Sequence, residues 1–198
     1  MLRRTALLTL ASSLLAACAP NESKPQFKAV DITGADYAKD FALPDTEGRM
    51  RSVKDFQGKA VVVFFGYTQC PDVCPTTLTE IGEAKRLLGP LGDKVQGVFI
   101  TVDPERDKPE VLKAYVANFG PDFVALRGNA AQTEAVARDY KVYYKRVDGK
   151  EPGTYFMEHT AASYIYDPQG RLRLYSRYGS GAQALADDLK LLLQQPQA

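Results

Sequence analysis

The stretch "KAVVVFFGYTQCPDVCPTTLTEIGEAKRLL", residues 59–88, decides how the rest of the chain is read. Its opening, Lys59 to Tyr67, is a continuous apolar and β-branched run, the pattern of a strand buried on both faces. From about Pro75 to Leu88 the pattern predicts a helix, with proline tolerated in a first turn whose N–H groups have no intrahelical partner anyway. Between strand and helix lie Cys70 and Cys74, four residues apart. A helix N-terminus favours the thiolate through its dipole and free N–H groups, so both thiols are expected to titrate below the ordinary cysteine range. The thiolate is both a nucleophile and a metal ligand. A redox couple, a pair of metal ligands and a structural staple therefore all remain open on this stretch alone.

Working outward, "FALPDTEGRMRS" reads as a hairpin turning at Glu47-Gly48. After the cysteine helix, "KVQGVFITVDP" is a second buried strand, "KPEVLKAYVANFG" a helix closed by Gly120, "DFVALRGN" a short strand and "AAQTEAVARDY" a further helix. "VYYKRV" is an extra strand, followed by a loop "DGKEPGTYFMEH". "ASYIYDPQGRLRLYS" is a hairpin turning at Asp167-Pro168-Gln169-Gly170, and "GAQALADDLKLLLQQ" a closing amphipathic helix. Alternating strands and helices, then a hairpin and a last helix, indicate an α/β domain whose sheet mixes parallel and antiparallel strands. The order is that of a thioredoxin-like fold with an N-terminal β-hairpin and an insertion before the C-terminal hairpin. In that arrangement the loop after the first central strand carries the chemistry.

The chain has 198 residues, enough for one filled core, and a net charge of +1, which argues against nucleic acid as a partner. "MLRRTALLTLASSLLAACAP" has a basic start, an apolar stretch too short to span a bilayer comfortably, and small residues before Cys18, the layout of a secretory signal. "LAAC" has the form of a bacterial lipobox, which implies cleavage before Cys18 and lipid on its sulfur. The expected organisation is a lipoprotein signal peptide at 1–17, a tether at 18–28 and one domain at 29–198. The protein is then exported and lipid-anchored, facing the periplasm or the cell exterior. With Cys18 acylated, the domain keeps only Cys70 and Cys74 of the three cysteines, and an oxidising compartment would join them in a disulfide unless something holds them reduced or bound.

Thioredoxin-type oxidoreductases place two residues between their cysteines, whereas this chain has three, "PDV". A four-residue step can bring both sulfurs to one face of a first helical turn, which suits one shared ion and still permits a disulfide. His159, the only histidine, sits in "YFMEHTAAS" before the strand "YIY", the point of such a fold that packs against the cysteine-bearing helix terminus. Two thiolates and one imidazole form a soft donor set suited to copper or zinc. Copper(I) is content with three ligands, while structural zinc normally takes a fourth.

"GYTQCPDVCPTTL", "ITVDPERDKPEVLKAYV" and "EHTAASYIYDPQGRL" closely resemble the Sco/SenC family of copper-binding thioredoxin-fold proteins, over about residues 29–192. Phe41, Leu43, Asp45 and Gly48 match the family's opening hairpin as well. The resemblance implies a metallochaperone rather than an enzyme, holding one copper ion, Cu(I) or Cu(II), through Cys70, Cys74 and His159. It also implies a part in assembling the dinuclear copper centre of cytochrome c oxidase, with oxidase subunit II or another cuproprotein as partner, and action as a monomer. Many members are anchored by a transmembrane helix, so a lipid on Cys18 would be a departure. The alternative is a thiol–disulfide reductase that works on the copper-ligand cysteines of subunit II, with Cys70 and Cys74 as its redox-active disulfide. Two acidic residues are candidates for acting behind the ligands. Asp72 lies between the cysteines, and Asp103 is the first acidic residue of "DPERD", where a strand-end turn and helix cap are the competing role. Tyr67 is expected to pack beneath the loop, and Tyr140, Tyr143 and Tyr144 to pack in the core or the insertion.

Overall fold

A computed structural model describes residues 26–195; the expected signal peptide, the expected lipidation at Cys18 and the expected tether up to residue 25 lie outside the described residues. The chain runs β1 (Val30–Asp31), β2 (Leu43–Pro44), β3 (Met50–Arg51), β4 (Ala60–Gly66), α1 (Val73–Leu87), β5 (Val95–Thr101), α2 (Pro109–Ala117) and β6 (Val124–Leu126). It continues through α3 (Ala130–Asp139), β7 (Tyr144–Asp148), β8 (Tyr155–His159), β9 (Ala162–Tyr166), β10 (Leu172–Arg177) and α4 (Ala182–Gln194).

Six strands form the main sheet in the order β1-β10-β9-β4-β5-β6. The pairs β4–β5 and β5–β6 are parallel, while β4–β9, β9–β10 and β1–β10 are antiparallel, so the mixed sheet read from the sequence is found. Every residue of β4 and of β5 is buried, as their unbroken apolar runs require. Successive side chains of β4 serve opposite faces. Phe65 packs against Tyr140 and Tyr164, whereas Phe64 meets Phe99 and His159. The face that includes Phe64 and Gly66 therefore carries the cysteine site. Helices α1 and α4 pack on each other against this central part of the sheet.

The opening hairpin turns where expected. The Asp45 carboxylate accepts the N–H groups of Glu47 and Arg49, and Gly48 supplies the positive φ of +79°. Two expectations are corrected. Helix α1 begins at Val73, two residues before Pro75, because proline in the first turn leaves no N–H unsatisfied. The segment expected as a loop from Asp148 to His159 is instead the turn and second strand of a separate two-stranded ribbon, β7–β8, with Tyr144 opposite His159. Its pattern has period two: Tyr155, Met157 and His159 point inward while Phe156 and Glu158 are exposed. This ribbon is the insertion. Of the three tyrosines, Tyr140 is fully buried and hydrogen-bonded to the Tyr166 hydroxyl, Tyr144 lies in the ribbon, and Tyr143 is exposed.

Candidate metal centre

The Sγ atoms of Cys70 and Cys74 and a ring nitrogen of His159 all lie within 4.8 Å of one another. Among the described residues this is the one cluster of three metal-ligating side chains of that kind. The cysteines do not share a helical turn. Cys70 is in the loop and half-buried, whereas Cys74 is in the first turn of α1 and fully buried; both are unbridged. Their convergence comes from the loop folding back, with the Cys70 N–H donating to the Tyr67 carbonyl at 3.3 Å.

Gly66 makes room for Cys74. A Cβ at position 66 would fall 2.6 Å from Cys74 Sγ and 2.9 Å from the Phe99 ring, closer than packed atoms come. Beneath the loop, the fully buried Asp107 accepts hydrogen bonds from the Thr68 N–H at 3.1 Å, the Thr68 hydroxyl at 2.6 Å and the Thr101 hydroxyl at 2.5 Å. Burial pushes the Asp107 carboxyl upward against these bonds. It fixes the segment leading to Cys70.

His159 closes the site from the ribbon. Its Nε2 is 3.4 Å from Cys74 Sγ, and its ring stands edge-on to Phe64 and Tyr67. Nδ1 lies 3.1 Å from the Thr160 carbonyl, which can only accept, so Nδ1 carries the hydrogen and in the neutral ring Nε2 presents its lone pair to the sulfurs. Tyr67 is buried as expected, with its ring edge-on to His159 of the ribbon.

The two thiols differ sharply, contrary to the expectation that both are lowered. The hydrogen bond from the Cys74 thiol holds Cys70 down at about 3, against the effect of burial, with help from the N–H groups of Asp72 and Cys74. Cys74 goes the other way, because its proton is the one given to Cys70 and because it is buried. At neutral pH the pair is one thiolate and one thiol.

The remaining candidates fall away from the ligands. The Asp72 side chain is exposed and reaches only the Thr76 hydroxyl, at 3.4 Å; its contribution to Cys70 is through the backbone. Asp103 is buried, but it faces the ribbon: Oδ2 accepts from Arg106 Nε at 2.5 Å and Oδ1 from the Tyr155 hydroxyl at 2.9 Å. Sequence reasoning passed over Gly66, Arg106 and Asp107. The last two stand in the matched "DPERD" block, and that match was the signal available for them.

Residues 30–194 match the family model described as SCO1/SenC. The chain belongs to the SCO1/SenC family. It is 35% identical over 152 residues to the SCO2-like protein of Rickettsia felis, covering 76% of this chain and 74% of the relative. It is 38% identical over 153 residues to the mitochondrial SCO2 homolog of Bos taurus, covering 76% of this chain and 58% of the bovine protein's length. Among solved structures, ScoI of Bradyrhizobium japonicum with copper bound is 42% identical and superposes with a TM-score of 0.70, covering 77% of this chain and 97% of that one. The thioredoxin-like architecture of the family, with its ribbon insertion, is the fold described above. Among the described residues no helix is long and apolar enough to cross a membrane.

Proposed function

We propose that this chain is a copper metallochaperone that holds one copper ion through Cys70, Cys74 and His159 and hands it on during assembly of the dinuclear copper centre of cytochrome c oxidase. The observation that carries the reading is the convergence of two sulfurs and one imidazole nitrogen within 4.8 Å. A soft donor set of three suits copper, and the Thr160 carbonyl turns Nε2 toward the sulfurs as metal-binding histidines require. The copper-bound Bradyrhizobium relative supports the same metal. Delivery fits an exported chain tethered by lipid on Cys18, from which the tether of residues 18–28, fully extended, reaches on the order of 35 Å toward a membrane-bound partner such as oxidase subunit II. Copper titration of the reduced protein beside His159→Ala and a double Cys→Ser variant tests the assignment. Weakened binding in the first and lost binding in the second are expected; unchanged affinity in either contradicts it.

One observation favours a second reading, thiol–disulfide exchange. Cys70 is a half-exposed thiolate at neutral pH, with a protonated Cys74 beside it. The Cys70 thiolate attacks a target disulfide, forming a mixed disulfide and releasing one target thiolate, which takes the Cys74 proton; the Cys74 thiolate then attacks the Cys70 sulfur and expels the second target sulfur as a thiolate. The target leaves reduced by two electrons, and the chain is left with a Cys70–Cys74 disulfide. His159 separates the two readings, since exchange does not need it as a ligand. Oxidase assembly that survives His159→Ala but fails without either cysteine would favour the reductase.

A further inference from the structure

We propose that Arg106 is a positioning residue for the metal site, clasping the β7–β8 ribbon to the cysteine loop and so holding His159 against the two sulfurs. The inference rests on the reading of His159 as a ligand. Arg106 stands in the turn after β5, and its guanidinium reaches both segments that build the site. Nη1 donates to the Gln69 side-chain oxygen at 3.1 Å, directly before Cys70, and to the Tyr155 carbonyl at 2.8 Å, on the strand that ends at His159. The guanidinium carbon lies 3.5 Å from the centroid of the Tyr155 ring. Nε is held by Asp103, 3% exposed, whose other oxygen takes the Tyr155 hydroxyl. Arg106, Asp103 and Tyr155 thus form a closed ring of contacts.

The ribbon needs such a fastening. It pairs only with itself and shares no strand ladder with the six-stranded sheet, and an isolated two-stranded ribbon is marginal in water. Tyr155 and His159 stand four residues apart on one strand and on the same, inward face, so where Tyr155 docks governs where the imidazole lies. The clasp is a poor device for stability alone. Arg106 Nη2 is buried without a partner, and a buried ion pair with an unmet donor is worth little net. What it supplies is geometry, through a planar fork that lysine cannot reproduce.

The test is copper(I) affinity of the reduced protein, by chelator competition, for wild type, Arg106→Ala, His159→Ala and the double variant. Ring-nitrogen NMR of the metal-free proteins is read alongside, since the sole histidine gives one set of ring signals. Arg106→Ala should weaken copper by about tenfold, the scale of losing a residue that orients a ligand. It should cost nothing further once His159 is gone, because the effect passes through the imidazole. The His159 ring signals should move toward those of a solvated imidazole. Tyr155→Phe, which keeps the ring but not its bond to Asp103, should show the same changes on a smaller scale and serves if Arg106→Ala fails to fold. An equal loss in the His159→Ala background, or unmoved ring signals, would overturn the proposal. Wild-type affinity in His159→Ala would instead refute the three-ligand reading, and the metal-free ring signals would still decide the clasp.

Discussion

Cys74 and His159 approach to 3.4 Å, yet they belong to parts of the molecule held together in different ways. Cys74 is fully buried in the first turn of α1, seated against Gly66 of the central strand, and the loop before it is pinned to the core by Asp107. His159 ends a ribbon that pairs with no strand of the main sheet and is fastened by side chains: Arg106 to Tyr155, and the imidazole's own contacts with Phe64 and Tyr67. The comparison teaches that the sulfur half is a product of the core, while the nitrogen half is docked onto it. Thiol chemistry is therefore set by burial and packing, and completion of the site by the attachment of one small element.

The largest effect expected is chemical and falls on the core half. A Cys70–Cys74 disulfide removes both sulfur donors together, so the oxidised protein should lose copper binding at any pH. Copper stoichiometry measured after blocking free thiols checks this, and tight binding by the disulfide form would place the ligands elsewhere. Next in size is a pair of melting measurements on metal-free protein. Gly66→Ala forces a Cβ into the space of Cys74 Sγ and the Phe99 ring and should cost about 1–3 kcal/mol, several degrees in Tm. His159→Ala removes a half-buried ring from a docked ribbon and should cost less than about 1 kcal/mol. Equal losses would erase the distinction between the halves.

The smallest effect is a proton count. Between the Cys70 value of about 3 and the raised range of Cys74, binding copper to both sulfurs displaces the Cys74 proton. Affinity should rise with pH from neutrality into mild alkali by about tenfold per unit, the slope of one proton. Titration calorimetry in buffers of different ionisation heats should show about one proton released at mildly alkaline pH; release of two would mean that Cys70 is also protonated.

Much of this was legible in the chain itself. The buried runs of β4 and β5, the turn residues at Gly48 and Asp167, and the matched blocks around Cys70, Cys74 and His159 carried the fold and the donor set. The ribbon's second strand was not, because "YFMEH" mixes aromatic, thioether and charged residues and its alternation shows only once the inward face is known. The split between the thiols was hidden for a related reason: the dipole argument treats both alike, whereas one is buried and donates its hydrogen to the other. Arg106 and Asp107 read as an ordinary charged turn, and only the tertiary approach of Tyr155 and Thr68 gives them their roles.

The most direct measurement is X-ray absorption at the copper edge of the reduced, copper-loaded protein, wild type and His159→Ala. Two sulfur scatterers and one imidazole are expected in the wild type, and two sulfurs with the imidazole signature lost in the variant. An imidazole signature that persists without the only histidine, or a wild-type shell holding fewer than two sulfurs, would contradict the account.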